Sequence, residues 1–426
     1  MDAFLVSGGA RLSGTVKIAG AKNSALKLAA AALLAEGRST LTNVPGISDI
    51  RVMVAILQRL GADVTLDGDA LHLDVPGQVA GATPADLASR LRASLVLLGP
   101  LLARRGDVRV AQPGGCNLGN RNIDMHLSGL TKMGAEITIG DEHIDARAPG
   151  GRLHGTDIDL AFASVGATEN LMMAAVTAEG RTVIRNAARE PEISDLSDYL
   201  NAMGARITGA GTTDIEIDGV PELHPADHHV VGDRIEAGTF AVAGALTDGH
   251  VRIEGVRPAH LGIALDKLRT IGARVETSED ALTVSGGQNL RSCDLVTLPF
   301  PGFPTDLQPQ YLVLLSQAAG SAMVTENIFD GRVQFMGELA RMGAEVAIEG
   351  HHVVVRGPRP LTGRTVRATD LRAGAALVLA GLIAEGQTLV TEPHHVDRGY
   401  ANFAARLSAL GADVERRHVG AAATVA

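Results

Sequence analysis

One pattern of apolar and polar positions recurs along the whole chain. Leu is followed, after two variable residues, by an apolar residue, Gly-Ala, one variable residue and then Val or Ile. The glycines of successive copies are 68 to 73 residues apart and are Gly61, Gly134, Gly204, Gly272, Gly343 and Gly411. Six copies at so regular a spacing indicate six copies of one structural unit.

Each copy predicts a helix that ends at its glycine in the left-handed conformation and is followed by a strand. About halfway between these signals a second one occurs, in which a long apolar helix precedes a glycine and another strand. Its glycines are Gly37, Gly106, Gly180, Gly249, Gly320 and Gly386. Units of roughly 70 residues with two helices and several strands predict an α/β fold with helices buried against sheets.

Six units divide naturally into two similar domains of three repeated β-α-β-α units each. We expect residues 20–231 to form the first domain, and residues 1–19 with 232–426 to form the second. The first residues include the strand-like sequence LSGTVKIAG, and the repeat pattern allows this segment to pair with either half.

Composition narrows the class of protein. Hydrophobic residues make up 46% but aromatic residues only 3%, which predicts an aliphatic core and disfavours stacking on bases. A net charge of −10 disfavours nucleic acid and anionic membranes as partners. The two cysteines, Cys116 and Cys293, are far apart and do not suggest a disulfide framework. The N-terminal sequence lacks a secretory signal pattern, so we expect a cytoplasmic protein.

Polar side chains stand just before the long apolar helix of each unit. Five of them lie 14 or 15 residues before the following glycine, which gives them equivalent places near helix N-termini. Backbone N–H groups and the helix dipole favour anions there. The residues are Lys22 with Asn23, Arg92, Ser164 with Thr168, Arg234, Asp306 and Arg372.

One arginine per unit also falls in the loop predicted after the strand. These are Arg51, Arg121, Arg189, Arg257, Arg332 and Arg398. Arginine suits bidentate binding of phosphate and carboxylate, although a lone arginine is more often a surface residue or an ion-pair partner. Arg51, Arg189 and Arg257 fit that structural role best. Convergence of the others on one cleft predicts a multiply anionic small ligand.

Two residues are candidates for acid–base chemistry. Cys116 lies in the Gly-rich loop QPGGCNLGNR close to Arg121, and a nearby cation favours the thiolate. Asp306 follows three prolines in PFPGFPTDLQPQ, so it is either a helix N-cap or a carboxylate base aimed at a hydroxyl. For Cys116 the alternative is a small residue in a turn. Cys293, in an apolar strand context, is predicted to be inert.

No motif predicts a metal or a nucleotide-binding P-loop. The histidine pairs at 228–229, 351–352 and 394–395 lack the spacing of known metal motifs, and GxxxxGK[ST] is absent. His126 and His395 lie near candidate loops, where histidines are commonly structural. We therefore expect no cofactor.

Several motifs together carry a resemblance to a known family. They are AGAKNSALKL (19–28), RASLVLLGPL (92–101), PGGCNLGNRNIDMHLSGL (113–130), SVGATEN (164–170), NAAREPEI (186–193), GDRIEAGTF (232–240), FPTDLQPQ (303–310), ATDLRAGAALVLAG (368–381) and HVDRGY (395–400). In this order they cover nearly the whole chain and resemble the UDP-N-acetylglucosamine 1-carboxyvinyltransferases. GAKN and PGGC are the most specific of them.

The resemblance implies two similar domains, an inside-out α/β barrel each, with ligands in the cleft between them. It implies transfer of the enolpyruvyl group of phosphoenolpyruvate to the 3′-hydroxyl of UDP-N-acetylglucosamine, at the start of peptidoglycan synthesis. By resemblance Cys116 is the general acid and the target of fosfomycin, and Asp306 takes the proton of the hydroxyl.

The family also implies which residues bind each substrate. Those matching the phosphoenolpyruvate ligands are Lys22, Arg121 and Arg398 for the phosphate and Arg332 and Arg372 for the carboxylate. Those matching the nucleotide-sugar ligands are Asn23, Arg92, Arg121, Asn122, Ile123, Asp124, Met125, Ser164, Val165, Gly166, Asp306 and Ile328.

Some positions depart from the common family pattern. They are Lys27 and Asn122 in place of Pro, Phe162 in place of a basic residue, and Asp330-Gly331 before Arg332. Because of Asn122, one alternative is an enolpyruvyl transferase of secondary metabolism that acts on another nucleotide, such as UMP. Alternatives of another class are a ring-shaped DNA clamp, since six repeats can close a ring, and a non-catalytic paralogue. The oligomeric state is not predicted.

Overall fold

The fold was examined in a computed structural model, which describes residues 2–112, 123–287 and 289–418. By its internal contacts the chain divides into two compact units. Of the described residues, 20–112 and 123–231 form one unit, called here the middle unit because it is contiguous in sequence. Residues 2–19 and 232–418 form the other, called the terminal unit because it contains both chain ends.

The chain begins with two strands of the terminal unit and then runs through three repeats of the middle unit. The first strands are β1 (Asp2–Ser7) and β2 (Ser13–Lys17). The first repeat contains α1 (Lys22–Ala31), β3 (Gly37–Thr42), α2 (Ser48–Arg59), β4 (Asp63–Asp67) and β5 (Ala70–Val75). The second contains α3 (Ala85–Ala88), α4 (Leu98–Arg105), β6 (Asp107–Ala111), α5 (Asp124–Lys132), β7 (Glu136–Ile139) and β8 (His143–Arg147). The third contains β9 (Asp157–Asp159), α6 (Val165–Ala175), β10 (Arg181–Arg185), α7 (Pro191–Ala202), β11 (Arg206–Thr208) and β12 (Asp214–Asp218).

The short strand β13 (His228–His229) completes the middle unit, and three further repeats follow. The fourth contains α8 (Arg234–Leu246), β14 (His250–Glu254), α9 (Gly262–Ile271), β15 (Arg274–Thr277) and β16 (Ala281–Ser285). The fifth contains β17 (Leu295–Val296), α10 (Gln308–Ser316), β18 (Gly320–Thr325), α11 (Met336–Arg341), β19 (Glu345–Glu349) and β20 (His352–Gly357). The sixth contains β21 (Thr365–Arg367), α12 (Leu371–Ile383), β22 (Gln387–Thr391), α13 (Phe403–Ala409) and β23 (Asp413–His418).

Each repeat in the described ranges contributes one small sheet. In five of them a parallel edge strand is followed by three antiparallel strands, as in the order β9-β10-β12-β11. The second repeat has the three-stranded order β6-β8-β7, and Ala82 makes only an isolated parallel bridge to Arg109 at that edge. Repetition in sequence is therefore repetition in topology, as the pattern predicts.

The N-terminal strands complete two sheets of the terminal unit. Strand β2 pairs in parallel with β14, from Ser13↔His250 to Lys17↔Glu254. Strand β1 lies between β22 and β23 and pairs antiparallel with both. In the sixth repeat β1 thus takes the position that the second hairpin strand has elsewhere, which settles where the first residues pair.

The long helix of each repeat lies in the core of its unit. Helix α12 is buried from Leu371 through Leu382, and α8 is buried along its whole length, as expected for helices that are apolar on all sides. Helices α4 and α6 pack against each other, and so do α10 and α12. The sheets and the shorter helices cover these core helices.

The six glycines of the Gly-Ala signal all adopt the left-handed conformation, with φ between 92° and 114°. The second set behaves in the same way at five positions. In the fourth repeat the left-handed residue is Asp248, with φ of 47°, and not Gly249. In the described part of the chain, no helix is both long and apolar enough to cross a bilayer.

Candidate active site

The residues that the sequence places before the core helices do lie at helix starts. Lys22 is the first residue of α1, Arg234 the first of α8, and Arg372 the second of α12, behind the N-cap Asp370. Arg92 and Asp306 lie in short 3-10 turns, Arg92–Leu97 before α4 and Thr305–Leu307 before α10. With Ser164 at the start of α6, each of the six repeats therefore brings one polar residue to the start of a core helix.

In the middle unit Lys22 is buried and already engaged. Its Nζ lies 2.8 Å from an Oδ of Asp49, in the first turn of α2, and both side chains are at most 10% exposed. This ion pair fixes the ammonium group beside the helix start that carries Asn23. The sequence did not single out Asp49 as a candidate site residue. An acidic residue in the first turn of a helix is common, because it interacts favourably with the helix dipole.

His126 connects three of the predicted nucleotide-sugar residues. Its ring lies against Gly166, where an added Cβ would come within 3.3 Å of it, and its Nδ1 is 3.0 Å from Nδ2 of Asn170. Burial lowers the pKa of His126 to about 4, and the charge of Arg92 adds to this while Asp124 opposes it. The structure therefore brings Arg92, Asp124 and Gly166 to one neighbourhood around a neutral imidazole.

Ser164 closes this neighbourhood at the start of α6. It is the N-cap residue, and its Oγ accepts a hydrogen bond from the N–H of Ala167 at 3.4 Å. Val165 and Gly166 form the first turn, and both are partly exposed. The capping role that is common for serine is thus present here, and it leaves the first N–H groups of the helix as potential anion ligands.

In the terminal unit Asp306 lies between two arginines. Its Oδ1 is 2.8 Å from Nη1 of Arg332, while its Oδ2 accepts bonds from Nε and Nη2 of Arg372 at 3.2 and 3.0 Å. Arg332 and Arg372 are only 2% and 1% exposed, and Asp306 is 22% exposed. Asp306 makes no side-chain N-cap hydrogen bond, so the capping alternative for this residue is wrong.

The two guanidinium groups control the charge of Asp306. Burial by itself raises the pKa of this carboxyl, but the charges of Arg332 and Arg372 outweigh burial and hold its pKa well below the ordinary range. Two buried guanidinium groups contact one carboxylate directly, and the charge of Asp233 also acts on Arg372. Nε of Arg332 and Nη1 of Arg372 have no hydrogen-bond partner among the described residues.

Glu326, which sequence reasoning missed, holds the backbone around this cluster. Its buried Oε1 accepts bonds from Thr297 Oγ1 and from the N–H groups of Ile328 and Phe329 at 2.9 to 3.1 Å. Its Oε2 accepts from Thr305 Oγ1 at 3.0 Å. One carboxylate thereby connects the turn of Asp306 to the loop of Ile328.

Sequence comparison decides the family. Residues 6–407 match the family described as EPSP synthase (3-phosphoshikimate 1-carboxyvinyltransferase). The chain belongs to the EPSP synthase family of enolpyruvyl transferases.

Several members of the enolpyruvyl transferase family are similar to this chain over nearly their whole length. The chain is 49% identical to the UDP-N-acetylglucosamine 1-carboxyvinyltransferase of Corynebacterium jeikeium, over 97% of this chain and 99% of that one. It is 49% identical to that of Mycobacterium tuberculosis, with the same coverage. Among solved structures, the enolpyruvyl transferase NikO from Streptomyces tendae superposes with a TM-score of 0.89 at 29% identity, over 98% and 99% of the two chains. EPSP synthase from Acinetobacter baumannii shares the fold, with a TM-score of 0.78 at 20% identity and coverage of 98% and 100%.

The loop arginines of this enolpyruvyl transferase do not form one class. Arg51 lies within helix α2 and is exposed, so its prediction as a loop residue is wrong: α2 begins at Ser48, before the arginine is reached. Arg257 is exposed, whereas Arg332 is buried in the 3-10 turn Asp330–Val333. Arg398 ends the 3-10 turn Pro393–Arg398 and is partly exposed.

Some predicted site residues of the transferase lie outside the described part of the chain. They are Cys116, Arg121 and Asn122. Asn23, Ile123, Asp124, Met125 and Ile328 are described and partly or fully exposed. Cys293 is half-buried against the core, and burial raises the pKa of its thiol, as befits an unreactive cysteine.

Lys27, a departure from the common pattern, has a partner in the core. Its Nζ lies 3.1 Å from Oε2 of the fully buried Glu169 in α6, and it donates to the backbone O of Asn23 at 2.8 Å. Burial raises the pKa of Glu169 to about 7, although the charge of Lys27 opposes this. The lysine thus ties the start of α1 to α6.

Proposed function

We propose that this enolpyruvyl transferase moves the enolpyruvyl group of phosphoenolpyruvate to the 3′-hydroxyl of UDP-N-acetylglucosamine and releases phosphate. Full-length relatives at 49% identity have names that state this acceptor. Small-molecule chemistry also fits the two buried arginines that contact Asp306 in the turn before α10. We further propose that this cytoplasmic reaction is the first committed step of peptidoglycan synthesis.

The Asp306 cluster carries the proposal. A carboxylate that is to act as a base is held by two buried guanidinium groups, each with one N–H that bonds to no described residue. Arginine binds carboxylates in bidentate fashion, so these groups can accept the carboxylate of phosphoenolpyruvate as a second anion. The proposed base for the acceptor hydroxyl, Asp306, therefore lies next to the two arginines that are proposed to bind phosphoenolpyruvate.

The same contacts suggest how Asp306 becomes a base. While both arginines hold it, its low pKa makes it a poor proton acceptor. Entry of the substrate carboxylate shares the two guanidinium groups between two anions and weakens their hold on Asp306. The pKa of Asp306 then rises toward a value suited to accept the hydroxyl proton only when phosphoenolpyruvate is present.

The proposed reaction balances without a redox partner. Cys116 gives a proton to C3 of phosphoenolpyruvate, and the 3′-oxygen bonds to the cationic C2 as Asp306 takes the hydroxyl proton. In the second half C3 returns a proton to the Cys116 thiolate, the C2–O bond to phosphate breaks, the enol ether forms, and the proton held by Asp306 leaves with the phosphate. Lys22, Arg121 and Arg398 are proposed to hold the phosphate throughout.

The neighbourhood around His126 is proposed to bind the nucleotide sugar. Arg92 supplies positive charge, the α6 start at Ser164–Gly166 supplies N–H groups, and Asn23, Ile123–Met125 and Ile328 complete the contacts. The neutral imidazole of His126 adds no charge there, because its pKa of about 4 keeps it unprotonated at neutral pH.

Phosphate release from phosphoenolpyruvate is the deciding assay. It is measured with UDP-N-acetylglucosamine and, in parallel, with UMP, each with and without fosfomycin. We expect release with the nucleotide sugar, blocked by fosfomycin and by Cys116→Ser. Release with UMP alone would overturn the acceptor but keep the chemistry, whereas no release with either would overturn the proposed reaction. Salt-dependent retention on DNA would then support the clamp alternative.

A further inference from the structure

Glu392, His394 and His395 bring three metal-binding side chains together in the terminal unit. One ligand atom of each lies within 4.8 Å of those of the other two. Oε2 of Glu392 is 3.4 Å from Nε2 of His395, and the two imidazole rings lie 4.2 Å apart between centroids. The sequence analysis did not predict this cluster from the histidine pair, because the pair has no known metal-motif spacing and the third side chain is a carboxylate.

The separations suit a tetrahedral ion. Zinc binds nitrogen and oxygen ligands at about 2.0–2.2 Å, so two ligands of a tetrahedral site lie roughly 3.3 Å apart. Glu392 and His395 already have this separation. His394 is exposed, so its ring can turn toward the other two without disturbing the core.

The backbone at Glu392 is a second, independent observation. Glu392 has φ of 57° and ψ of 47°, in the left-handed region. The equivalent positions after β3, β10 and β14 are Asn43, Asn186 and Gly255, whose residue types tolerate this conformation. A glutamate there is strained, and strain of this kind clusters at functional sites.

The surroundings keep the ligands available. Arg367 Nη1 lies 4.0 Å from Oε1 of Glu392, so Oε2 faces the histidines.

We propose that Glu392, His394 and His395 form a binding site for one divalent cation of the Zn²⁺ class. Two imidazoles and one carboxylate are typical of zinc and of its spectroscopic substitute Co²⁺. A bound ion would join Glu392, just before the 3-10 turn Pro393–Arg398, to the two histidines within that turn. Arg398 is the last residue of the same turn.

The site is tested by titrating the untagged full chain with Zn²⁺ in a calorimeter and with Co²⁺ by visible absorption. A Cys116→Ser, Cys293→Ser background removes competing thiols. We expect one ion per chain, tetrahedral Co²⁺ bands, and affinity at least about tenfold weaker in Glu392→Gln and in His394→Ala.

His351→Ala is the matched control. His351 and His352 also stack, with ring centroids 4.1 Å apart, and His351 is exposed like His394. The control should bind Zn²⁺ as the parent does. Absence of binding, or binding that Glu392→Gln and His394→Ala leave unchanged, or equal loss in His351→Ala, would overturn the site.

Occupancy has a kinetic consequence, which, unlike the site, rests on the proposed function. Because the ion restrains the turn that ends at Arg398, Zn²⁺ should change the KM for phosphoenolpyruvate in the chain that retains Cys116 but not in its His394→Ala variant, in which any effect of Zn²⁺ on the Cys116 thiol is the same. If the chain binds Zn²⁺ as proposed yet releases no phosphate from either substrate pair, the metal site stands and the proposed function fails.

Discussion

At the scale of single residues, partners determine what a side chain can do. Asp306 stays ionised because two arginines contact its carboxylate, whereas burial in the core raises the pKa of Glu169 to about 7. Both are acidic residues near helix starts in the sequence, yet the structure shifts their pKa values in opposite directions.

Replacement of Asp306 by Asn should remove the proposed base while keeping a hydrogen-bond acceptor for the arginines. We expect kcat to fall by about a hundredfold or more, which is typical for the loss of general-base catalysis. Stability should fall too, by roughly 3 kcal/mol, since two buried cations lose their counter-charge. Steady-state kinetics and urea unfolding measure the two effects. Asp266→Asn, in an exposed ion pair with Arg269, should leave both unchanged.

Replacement of Glu169 by Gln should alter the pH dependence of stability. The pKa of Glu169 is about 7 in the folded chain and about 4.3 when unfolded. The folded state therefore favours the protonated form of Glu169. The stability that this preference contributes to the folded chain is full below pH 4 and is lost as pH rises to about 7. Glu169→Gln should lose less stability than the parent between pH 5 and pH 8.

Thermal unfolding at the two pH values checks this difference. Glu236, whose pKa burial also raises to about 7, is present in both proteins and cancels. An equal pH response of parent and Glu169→Gln would contradict the expectation. Glu349→Gln, at an exposed position, serves as the control and should follow the parent.

Sequence reasoning found residues whose signals are local and missed those whose partners are distant. Lys22 and Arg372 recur at a fixed distance before a glycine, so periodicity alone predicted their place at helix starts. Glu326 and His126 act through contacts with residues that are 21 to 44 positions away, such as Thr305 and Asn170. Nothing in a single sequence specifies such pairs.

At the scale of elements, repetition fixes the order of helices and strands but not their boundaries. The left-handed residue of the fourth repeat moves from Gly249 to Asp248, and α2 begins early enough to include Arg51. These shifts are small in sequence, but they decide whether a side chain faces a cluster or solvent.

Replacement of Glu326 by Gln should loosen the connection between the Asp306 turn and the Ile328 loop. The three donors at Oε1 would then bond a neutral carbonyl oxygen in place of a charged carboxylate, and the hydroxyl of Thr305 would have to turn from donor to acceptor to bond the amide NH2. We expect a loss of about 1–3 kcal/mol in urea unfolding. Glu345→Gln, which breaks exposed ion pairs with Arg356 and Arg359, should cost less than 1 kcal/mol by the usual range of surface pairs.

At the scale of the whole molecule, the ends of the chain belong to one sheet. Strand β1 pairs with β22 and β23, and Ala3, Phe4, Leu5 and Val6 are all buried. The six-fold pattern predicted the number of units, but it could not predict that the first strand completes the last repeat. That contact joins residues 380 or more positions apart, beyond any local signal.

Deletion of residues 1–9 should therefore unfold the terminal unit. Burial of a large apolar side chain contributes about 1.5–3 kcal/mol, so the loss of Phe4, Leu5 and Val6 is comparable to the stability of a whole domain. Limited proteolysis should cut residues 232–418 while residues 20–231 resist. A synthetic peptide of residues 1–10 should restore resistance, and a scrambled peptide should not.

This closure by the first strand has a consequence for synthesis on the ribosome. The middle unit is contiguous, so it can fold as soon as it has left the exit tunnel. Strand β1 is made first, yet its neighbours β22 and β23 are made last. At translation rates of about 5–20 residues per second, the newborn N-terminus waits roughly 20–80 s for its partners. During that time an apolar strand with two unpaired edges must be kept from aggregating, which makes it a natural substrate for chaperones that act on nascent chains.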